Sequence, residues 1–530
     1  MKKKVRYPIG EQSFELLRRE GFLYVDKTEY IGKLIDAGKY FFLGRPRRFG
    51  KSLFLSSLKC FFEGKRELFN GLYVDTMDWS WERYPVLYLD LNISQYKENT
   101  DLDEVIEYHL RKWEEEYKID VKDKVISLRF ANIIECISKR TGKGVVILVD
   151  EYDKPLVNNI HYNEQFEGYR NKLAALYSNF KSSADYIRMV FLTGVSRFVK
   201  LSVFSGLNNI RDLSFLNEYS AICGITEEEL LDNFQEGIAA LAEENGRKVQ
   251  EEIAELKKWY DGYHFSSKSP DIYNPFSILQ IFAGKEYSNY WIASGNSSLL
   301  AEQLKLTNSN LEEIINTRCT QNTLEGLDIS SPRPIALLYQ TGYLTIKRYD
   351  ERRKLFHLGI PNEEVKQGFF EFLLPYYSSL REETVRPFIF DLIDEIEEGR
   401  VDDFMRRLQS LFAGFGHDLK FDEERNVQNA LLLIFSLMGL HVDSEYKTSD
   451  GRIDILLRTS EYVYIMELKY DRPASEALEQ IARKEYSLPW SLDKRKIMEI
   501  GISYSSAKRR IDEWCVREGE RVIDFSVREW

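Results

Sequence analysis

The sequence predicts an α/β protein in three parts. A parallel-sheet domain built around a phosphate-binding loop spans residues 1–220, a helical lid and a winged-helix-like region span 221–375, and a second α/β domain spans 376–530. Three observations predict this. Gly50-Lys51-Ser52 sits between a strand-like and a helix-like apolar run, the apolar run Val145–Val149 ends in Asp150-Glu151, and three strand-like runs between 441 and 470 carry charged residues inside apolar stretches.

The chain of 530 residues is too long for one ordinary core, and roughly three domains is the expectation. Hydrophobic residues at 43% can fill several cores, so global disorder is excluded. The formal charge of −12 argues against a long basic coat, so any polyanion site has to be local. Five scattered cysteines with no C-x-x-C pair fit neither a disulfide framework nor a zinc knuckle and predict a reducing, cytoplasmic setting. The N-terminus has no apolar signal region, and the longest apolar run, 430–440, is about half a membrane span, so no membrane partner is expected.

"YFFL" at 40–43 reads as a short buried strand, and Leu53, Leu55, Leu58, Phe61 and Phe62 recur at helical spacing. Strand, loop and helix are the context in which G-K-S binds phosphate. Backbone N–H groups at the helix start face the anion, Lys51 reaches the β and γ phosphates, and the Ser52 hydroxyl can ligate Mg²⁺. The first glycine of the usual G-x-x-x-x-G-K-[ST] pattern is absent: Arg45 stands there, one residue after Gly44. The cofactor contacts expected along this loop are Arg47, Arg48, Phe49, Gly50, Lys51, Ser52 and Leu53, with ATP and Mg²⁺ as the ligands.

Some 95 residues on, Val145–Val149 reads as a buried parallel strand. Asp150 would hold Mg²⁺ through water, and Glu151 would orient and deprotonate the attacking water. The strand-like run 187–193 ends in Thr193 and is followed by Arg197, positions suited to sensing a γ phosphate.

Thr226 and Glu229 form a capping-box pattern that opens a run of amphipathic helices, the lid. The aromatic stretch 257–265 can be read as a base-stacking platform or as the lid's own core. Residues 333–365 give a helix, a glycine turn and two strand-like runs around "DERR". Arg352, Arg353 and Lys354 at the tip could touch phosphates or form a solvated turn.

In the last part Asp454 interrupts "RIDILL", Glu467 interrupts "YIMELKY", and Lys469 shares a strand face with Glu467 because side chains alternate with period two. Buried carboxylates are costly unless they bind a cation or find a partner, so a divalent metal is a physical reason for them. The spacing D-x12-E-x-K matches the PD-(D/E)XK nuclease core. Asp454 and Glu467 then act as Mg²⁺ ligands and Lys469 supports the water nucleophile or the developing phosphate charge.

Taken together, "YPIGEQSFELLRREGFLYVDKTEYI", "FLGRPRRFGKSLFLS", "LVDEYDKP", "FLTGVSRF" and "FSGLNNIRDLSFLNEYSAICGITEEEL" resemble the bacterial AAA-ATPase-like proteins with a C-terminal nuclease-superfamily domain. The resemblance implies a P-loop NTPase domain and a restriction-endonuclease-like domain, with "RPRRFGKS" in place of the usual first glycine. It also implies Glu424 as a further metal ligand on an upstream helix. There, where a His often follows by four residues, this chain has Gln428. Gln480, Lys484 and Tyr486 are expected on a downstream helix that positions substrate. Asp26, Lys27 and Thr28 match the family's opening motif, with helix capping or adenine contact both open. The function expected is ATP hydrolysis coupled to a Mg²⁺-dependent nuclease acting on nucleic acid, DNA in preference to RNA, with a homo-oligomer left open. The alternative is an ATP-driven switch whose nuclease-like domain only binds nucleic acid or a protein.

Overall fold

In the computed structural model, which describes residues 5–98, 100–121, 124–159, 162–197, 209–292, 304, 310–326, 334–413, 423–439, 443–449, 452–519 and 521–526, "YFFLG" forms β1 (Tyr40–Gly44). The helix α1 (Lys51–Phe62) follows it across the phosphate loop. The strands β2 (Val86–Asp90), β3 (Val145–Asp150), β4 (Ile187–Gly194) and β5 (Arg211–Asp212) join β1 in one sheet of order β2-β3-β4-β1-β5. Every pairing in it is parallel. The register sets Asp90 beside Asp150 and Gly44 beside Gly194, so the phosphate loop and the acidic strand ends share the sheet's C-terminal edge. That is the edge at which open parallel sheets bind ligands.

Two compact units divide the chain: residues 1–295 with 315–365, and residues 296–314 with 366–530. The helices between Thr226 and Gly284 belong to the first unit. The predicted capping box is present at α2 (Glu227–Asn233), where Thr226 Oγ1 and the Glu229 carboxylate each accept the other residue's backbone N–H. With α3 (Gln235–Glu244), α4 (Val249–Tyr260) and α5 (Pro275–Gly284), this region closes its own core around Leu241, Leu256, Tyr260 and Tyr273. Tyr260, Tyr263 and Phe265 are buried, so the aromatic stretch is core and not a stacking platform. The helix α6 (Ile335–Thr341) leads into a hairpin of β7 (Thr345–Asp350) and β8 (Leu355–Gly359), and β8 also pairs with β6 (Arg318–Cys319).

The second unit centres on a six-stranded mixed sheet. Its strands, in spatial as in chain order, are β9 (Asp443–Ser449), β10 (Arg452–Arg458), β11 (Tyr462–Tyr470), β12 (Lys496–Ser505), β13 (Arg510–Glu518) and β14 (Arg521–Ser526). Only β11 and β12 run parallel, joined by the crossover helix α8 (Ala474–Arg483). An upstream helix, α7 (Glu423–Met438), packs on β9. The helix expected to carry Lys484 and Tyr486 stops at Arg483. Lys484 is its C-cap and Tyr486 lies beyond, because Glu485 takes a left-handed conformation and Pro489 follows. Gly501 of β12 is the register partner of Glu467, and a Cβ there would meet the Ala474 carbonyl oxygen at 2.2 Å. Glycine at this place lets α8 lie close against the sheet beside Glu467.

A buried carboxylate in the first unit gives that unit a pH dependence. Ser277 Oγ donates to both oxygens of Glu364, at 2.9 and 2.8 Å, and the Trp291 backbone N–H donates to Oε1 at 2.8 Å. Burial, opposed by these hydrogen bonds, pushes the Glu364 carboxyl up to about 8. A carboxyl raised above its unfolded value takes up a proton on folding, so its contribution to stability is full below the ordinary carboxylate range and is lost as pH rises through about 8. Glu364→Gln is expected to flatten the fall in stability between pH 5 and 8, measured by urea denaturation as a function of pH. An unchanged slope would refute the assignment.

Candidate functional site

The phosphate loop is shaped from inside by Arg45. Its side chain is 1% exposed and donates through Nη1 to the carbonyls of Gly44 (2.8 Å) and Ser214 (2.9 Å), and through Nη2 to those of Tyr219 (2.9 Å) and Ser220 (3.4 Å). The guanidinium also lies 4.2 Å from the centre of the Phe265 ring. Arg45 therefore fastens the turn that a first glycine would otherwise make by backbone freedom. Phe49 is buried edge-on against Tyr263 and Phe265, and its carbonyl accepts from the Gly224 N–H at 3.0 Å. The Phe49 ring is thus held in the core, and a ligand contact from Phe49 would come from its backbone. The Arg47 carbonyl accepts from Trp291 Nε1 at 3.0 Å, and the Arg48 guanidinium lies over Phe276 at 4.0 Å.

Gly50, with φ 95°, is the N-cap of α1 and supplies no side-chain cap, so the first N–H groups of α1 have no capping side chain. Lys51 is buried. Its Nζ donates to the carbonyls of Arg45 and Pro46, both at 3.1 Å, and lies 3.7 Å from Glu151 Oε1. Ser52 and Leu53 are half-buried on the first turn of α1. An anion at this helix end would meet donors from Gly50 onward, with the Lys51 ammonium already at the loop.

Both oxygens of the buried Asp150 are held. Oδ1 accepts from Thr193 Oγ1 at 2.6 Å and Oδ2 from Tyr88 Oη at 3.1 Å. Burial and the Asp150 charge push the Tyr88 hydroxyl well above its ordinary value, keeping it a donor. The next residue, Glu151, takes a left-handed φ of 54°, a strained conformation for a residue with a side chain. Thr193 and Arg197, expected to face a γ phosphate, are engaged within the protein. Thr193 orients Asp150, and Arg197 pairs with Asp212 and, at 2.9 Å, with Glu325, while its N–H donates to Gln340 Oε1.

Two residues that the sequence reading passed over shape this edge. Tyr88 is one. The other is Asp153, buried, whose carboxylate accepts the backbone N–H groups of Val195 and Ser196. Burial, with Glu151 nearby, pushes the Asp153 carboxyl up to about 7. A sequence signal existed, because Asp153 precedes Lys154-Pro155, the start of a short helix, where an aspartate is expected as a cap. In the opening motif Asp26 accepts from Thr28 and from the Tyr73 N–H, Lys27 Nζ pairs with Glu229 at 2.5 Å, and Thr28 is the N-cap of the helix Glu29–Ala37 without a side-chain cap hydrogen bond.

In the second unit Glu467 is fully buried on β11. Lys469 Nζ lies 2.9 Å from Glu467 Oε1 and 2.7 Å from Gln480 Oε1, and Gln480 Nε2 donates to the same Glu467 oxygen. The antiparallel register sets Asp454 opposite Glu467, which puts both positions on one face of the sheet. The side chains of Asp454 and Glu424 lie outside the described residues; Glu424 falls on α7, four residues before the half-buried Gln428. Among the described residues no three His, Cys, Asp or Glu side chains cluster as a metal site, and no helix is long and apolar enough to cross a membrane. The chemistry of the Asp454, Glu467 and Lys469 positions suits a divalent cation beside a phosphate.

A family model described as a predicted AAA-ATPase matches residues 8–204, and one described as the PD-(D/E)XK nuclease superfamily matches residues 422–514. An uncharacterized protein in the 5′ region of vnfD of Azotobacter chroococcum mcd 1 is 34% identical over 528 residues, covering 96% of this chain and 98% of its own length. On these matches, the chain belongs to the AAA-ATPase-like proteins with a C-terminal PD-(D/E)XK nuclease superfamily domain.

Proposed function

We propose that the chain binds and hydrolyses ATP with Mg²⁺ at the phosphate loop, and that its C-terminal unit is a divalent-metal-dependent phosphodiesterase acting on nucleic acid, DNA in preference to RNA, in the cytoplasm. The observation that carries the reading is shared by the two units. Each sets a buried lysine beside a carboxylate, Lys51 3.7 Å from Glu151 and Lys469 2.9 Å from Glu467. Lysine and carboxylate side by side supply what phosphoryl transfer needs, a positive charge for the phosphate oxygens and a base or metal ligand for the attacking water.

At the loop, Lys51 exchanges its two carbonyl partners for phosphate oxygens, and the N–H groups from Gly50 to Leu53 bind the same anion. Ser52 and Asp150 hold Mg²⁺, which supplies charge neutralisation at the transferred phosphoryl group. Tyr88 and Thr193 keep the Asp150 carboxylate oriented, and Glu151 takes the proton of the attacking water. In the second unit Asp454 and Glu467, with Glu424, hold the divalent cation, Lys469 stabilises charge on the reacting phosphate, and Gln480 fixes the Glu467 carboxylate.

Lys51→Ala is expected to abolish phosphate release and weaken binding of a fluorescent ATP analogue, whereas Glu151→Gln keeps binding and stops turnover. Wild-type turnover in both variants would remove the nucleotide site from Lys51 and Glu151.

Asp454→Ala and Lys469→Ala are each expected to lower cleavage by about a hundredfold or more while ATP turnover is kept. Substrates would be linear, supercoiled and single-stranded DNA and structured RNA, with Mg²⁺ or Mn²⁺. One observation favours the switch reading instead: Lys469 and Gln480 both already engage the Oε1 oxygen of Glu467 without a metal. Wild-type protein that cleaves none of these substrates would favour that reading.

A further inference from the structure

The small sheet β6-β8-β7 of the first unit has two unlike faces. Cys319, Phe356 and Tyr349 form one cross-strand row, with Cys319 and Phe356 buried, and Ile346 and Leu358 are buried beyond the bulge. The next row belongs to the opposite face and reads Arg318, His357, Arg348: the register sets His357 directly between the two arginines. Arg318 and Arg348 are exposed, and Arg348 Nη2 lies 3.3 Å from His357 Nε2. The turn between β7 and β8 adds Arg352, Arg353 and Lys354, all exposed.

Little negative charge answers these cations. Of the two carboxylates in the turn, Asp350 holds Arg353 through its N–H at 2.9 Å and its guanidinium at 3.4 Å, and Glu351 lies 3.8 Å from Lys268. Among the described residues no ion pair engages Arg318, Arg348, Arg352 or Lys354. Lys347, the extra residue of a bulge in β7, is tied to the Pro361 carbonyl at 2.7 Å.

Desolvation, with Arg348 and Arg318 beside it, holds the His357 imidazole below its ordinary range, so the row carries two exposed cations flanking a neutral ring in a chain whose formal charge is −12. The row spans two strand spacings, about 10 Å, and the charged turn extends it along the hairpin. That is a strip suited to an anion with repeated charges. The cross-strand row carries no Phe, Tyr or Trp ring for a base to stack on, and its two exposed guanidiniums suit phosphate oxygens.

We propose that the Arg318–His357–Arg348 face and the Arg352–Lys354 turn bind the sugar–phosphate backbone of a nucleic acid independently of base sequence. The proposal rests on the reading that this protein acts on nucleic acid, and it adds a contact in the ATPase unit, apart from the Asp454, Glu467 and Lys469 positions.

The test is fluorescence anisotropy with labelled duplex DNA, single-stranded DNA and an RNA hairpin, each in two unrelated sequences. The full chain would be titrated in EDTA, so that no cleavage intervenes, at salt concentrations from about 50 to 200 mM. Each phosphate contact contributes about 0.9 to the slope of log affinity against log salt on B-DNA and about 0.7 on single strands. Arg318→Gln/Arg348→Gln/Arg352→Gln is expected to bind at least tenfold more weakly at mid-range salt. Its slope should be lower by about 2 to 3, with equal loss for both sequences and with ATP turnover and Tm unchanged. The milder Arg352→Gln/Lys354→Gln variant, confined to the turn, should show part of the same loss and keeps the test decisive if the triple variant is unstable. Wild-type affinity and slope in both variants would overturn the proposal, as would wild-type protein that binds none of the three probes or binds poly-glutamate as tightly as DNA. Binding lost at this strip with cleavage absent in Mg²⁺ would sink the phosphodiesterase reading alone, and cleavage with unchanged binding would sink this one alone.

Discussion

The buried guanidinium of Arg45 is the interaction on which the Gly44–Lys51 loop and the sheet edge beside it depend. A phosphate loop must turn sharply between strand and helix, and glycine usually allows this by adopting conformations that side chains forbid. Here the turn is held by a side chain. Arg45 offers its donors to carbonyls of Gly44, Ser214, Tyr219 and Ser220, and Pro46 fixes the next φ. Removing the guanidinium would strand buried carbonyls, each costing about 1–3 kcal/mol. The loop is consequently not a free element. Its shape is tied to the segment after β5 through Arg45, and to the helical region through Phe49, against Tyr263 and Phe265, and through the Trp291 hydrogen bond to Arg47. A lid closing over this loop would have to move about a base already fastened to it.

The acidic strand ends follow the same logic of side chains holding side chains. Asp150 is fixed by Thr193 from β4 and Tyr88 from β2, the two strands that flank β3. Asp153 holds the first turn after β4 through two backbone N–H groups. Between them Glu151 is left in a left-handed conformation that costs of order 1–3 kcal/mol, with its carboxylate toward Lys51. The strain is tolerated because residues on both sides of Glu151 are anchored, and its effect is to aim one carboxylate at the loop while its neighbours stay bound to protein.

Much of this was legible in the sequence, and the rest was not for identifiable reasons. β1, β3 and β4 are continuous apolar runs because they are covered on both faces, and the capping box at Thr226 is a local pattern. Alternation placed Glu467 and Lys469 on one face of one strand, as found. Arg45 read as a missing glycine because its partners lie about 170 residues away. Thr193 and Arg197 stand at the expected strand end, but which group each engages is decided by Asp150, Asp212 and Glu325, carboxylates brought there by other elements. The end of α8 depended on the backbone at Glu485, which helical spacing does not report.

The two lysine–carboxylate pairs differ in a way that bears on how each could work. Lys51 is bound to two neutral carbonyls and only approaches Glu151, so a phosphate arriving there would replace weak partners with a strong one. Lys469 is bound to Glu467 itself, in a network closed by Gln480 and pressed against β12 where Gly501 lets α8 approach. A buried ion pair of this kind is weak evidence for stability, since apolar residues of similar volume often serve as well or better. Removing one partner would leave the other charge buried and cost about 3–5 kcal/mol. The pair is therefore held together once present, and a cation that took Oε1 of Glu467 would compete there with the Lys469 ammonium. Asp454, set opposite in the register, is the position from which a second carboxylate could tip that competition toward the metal.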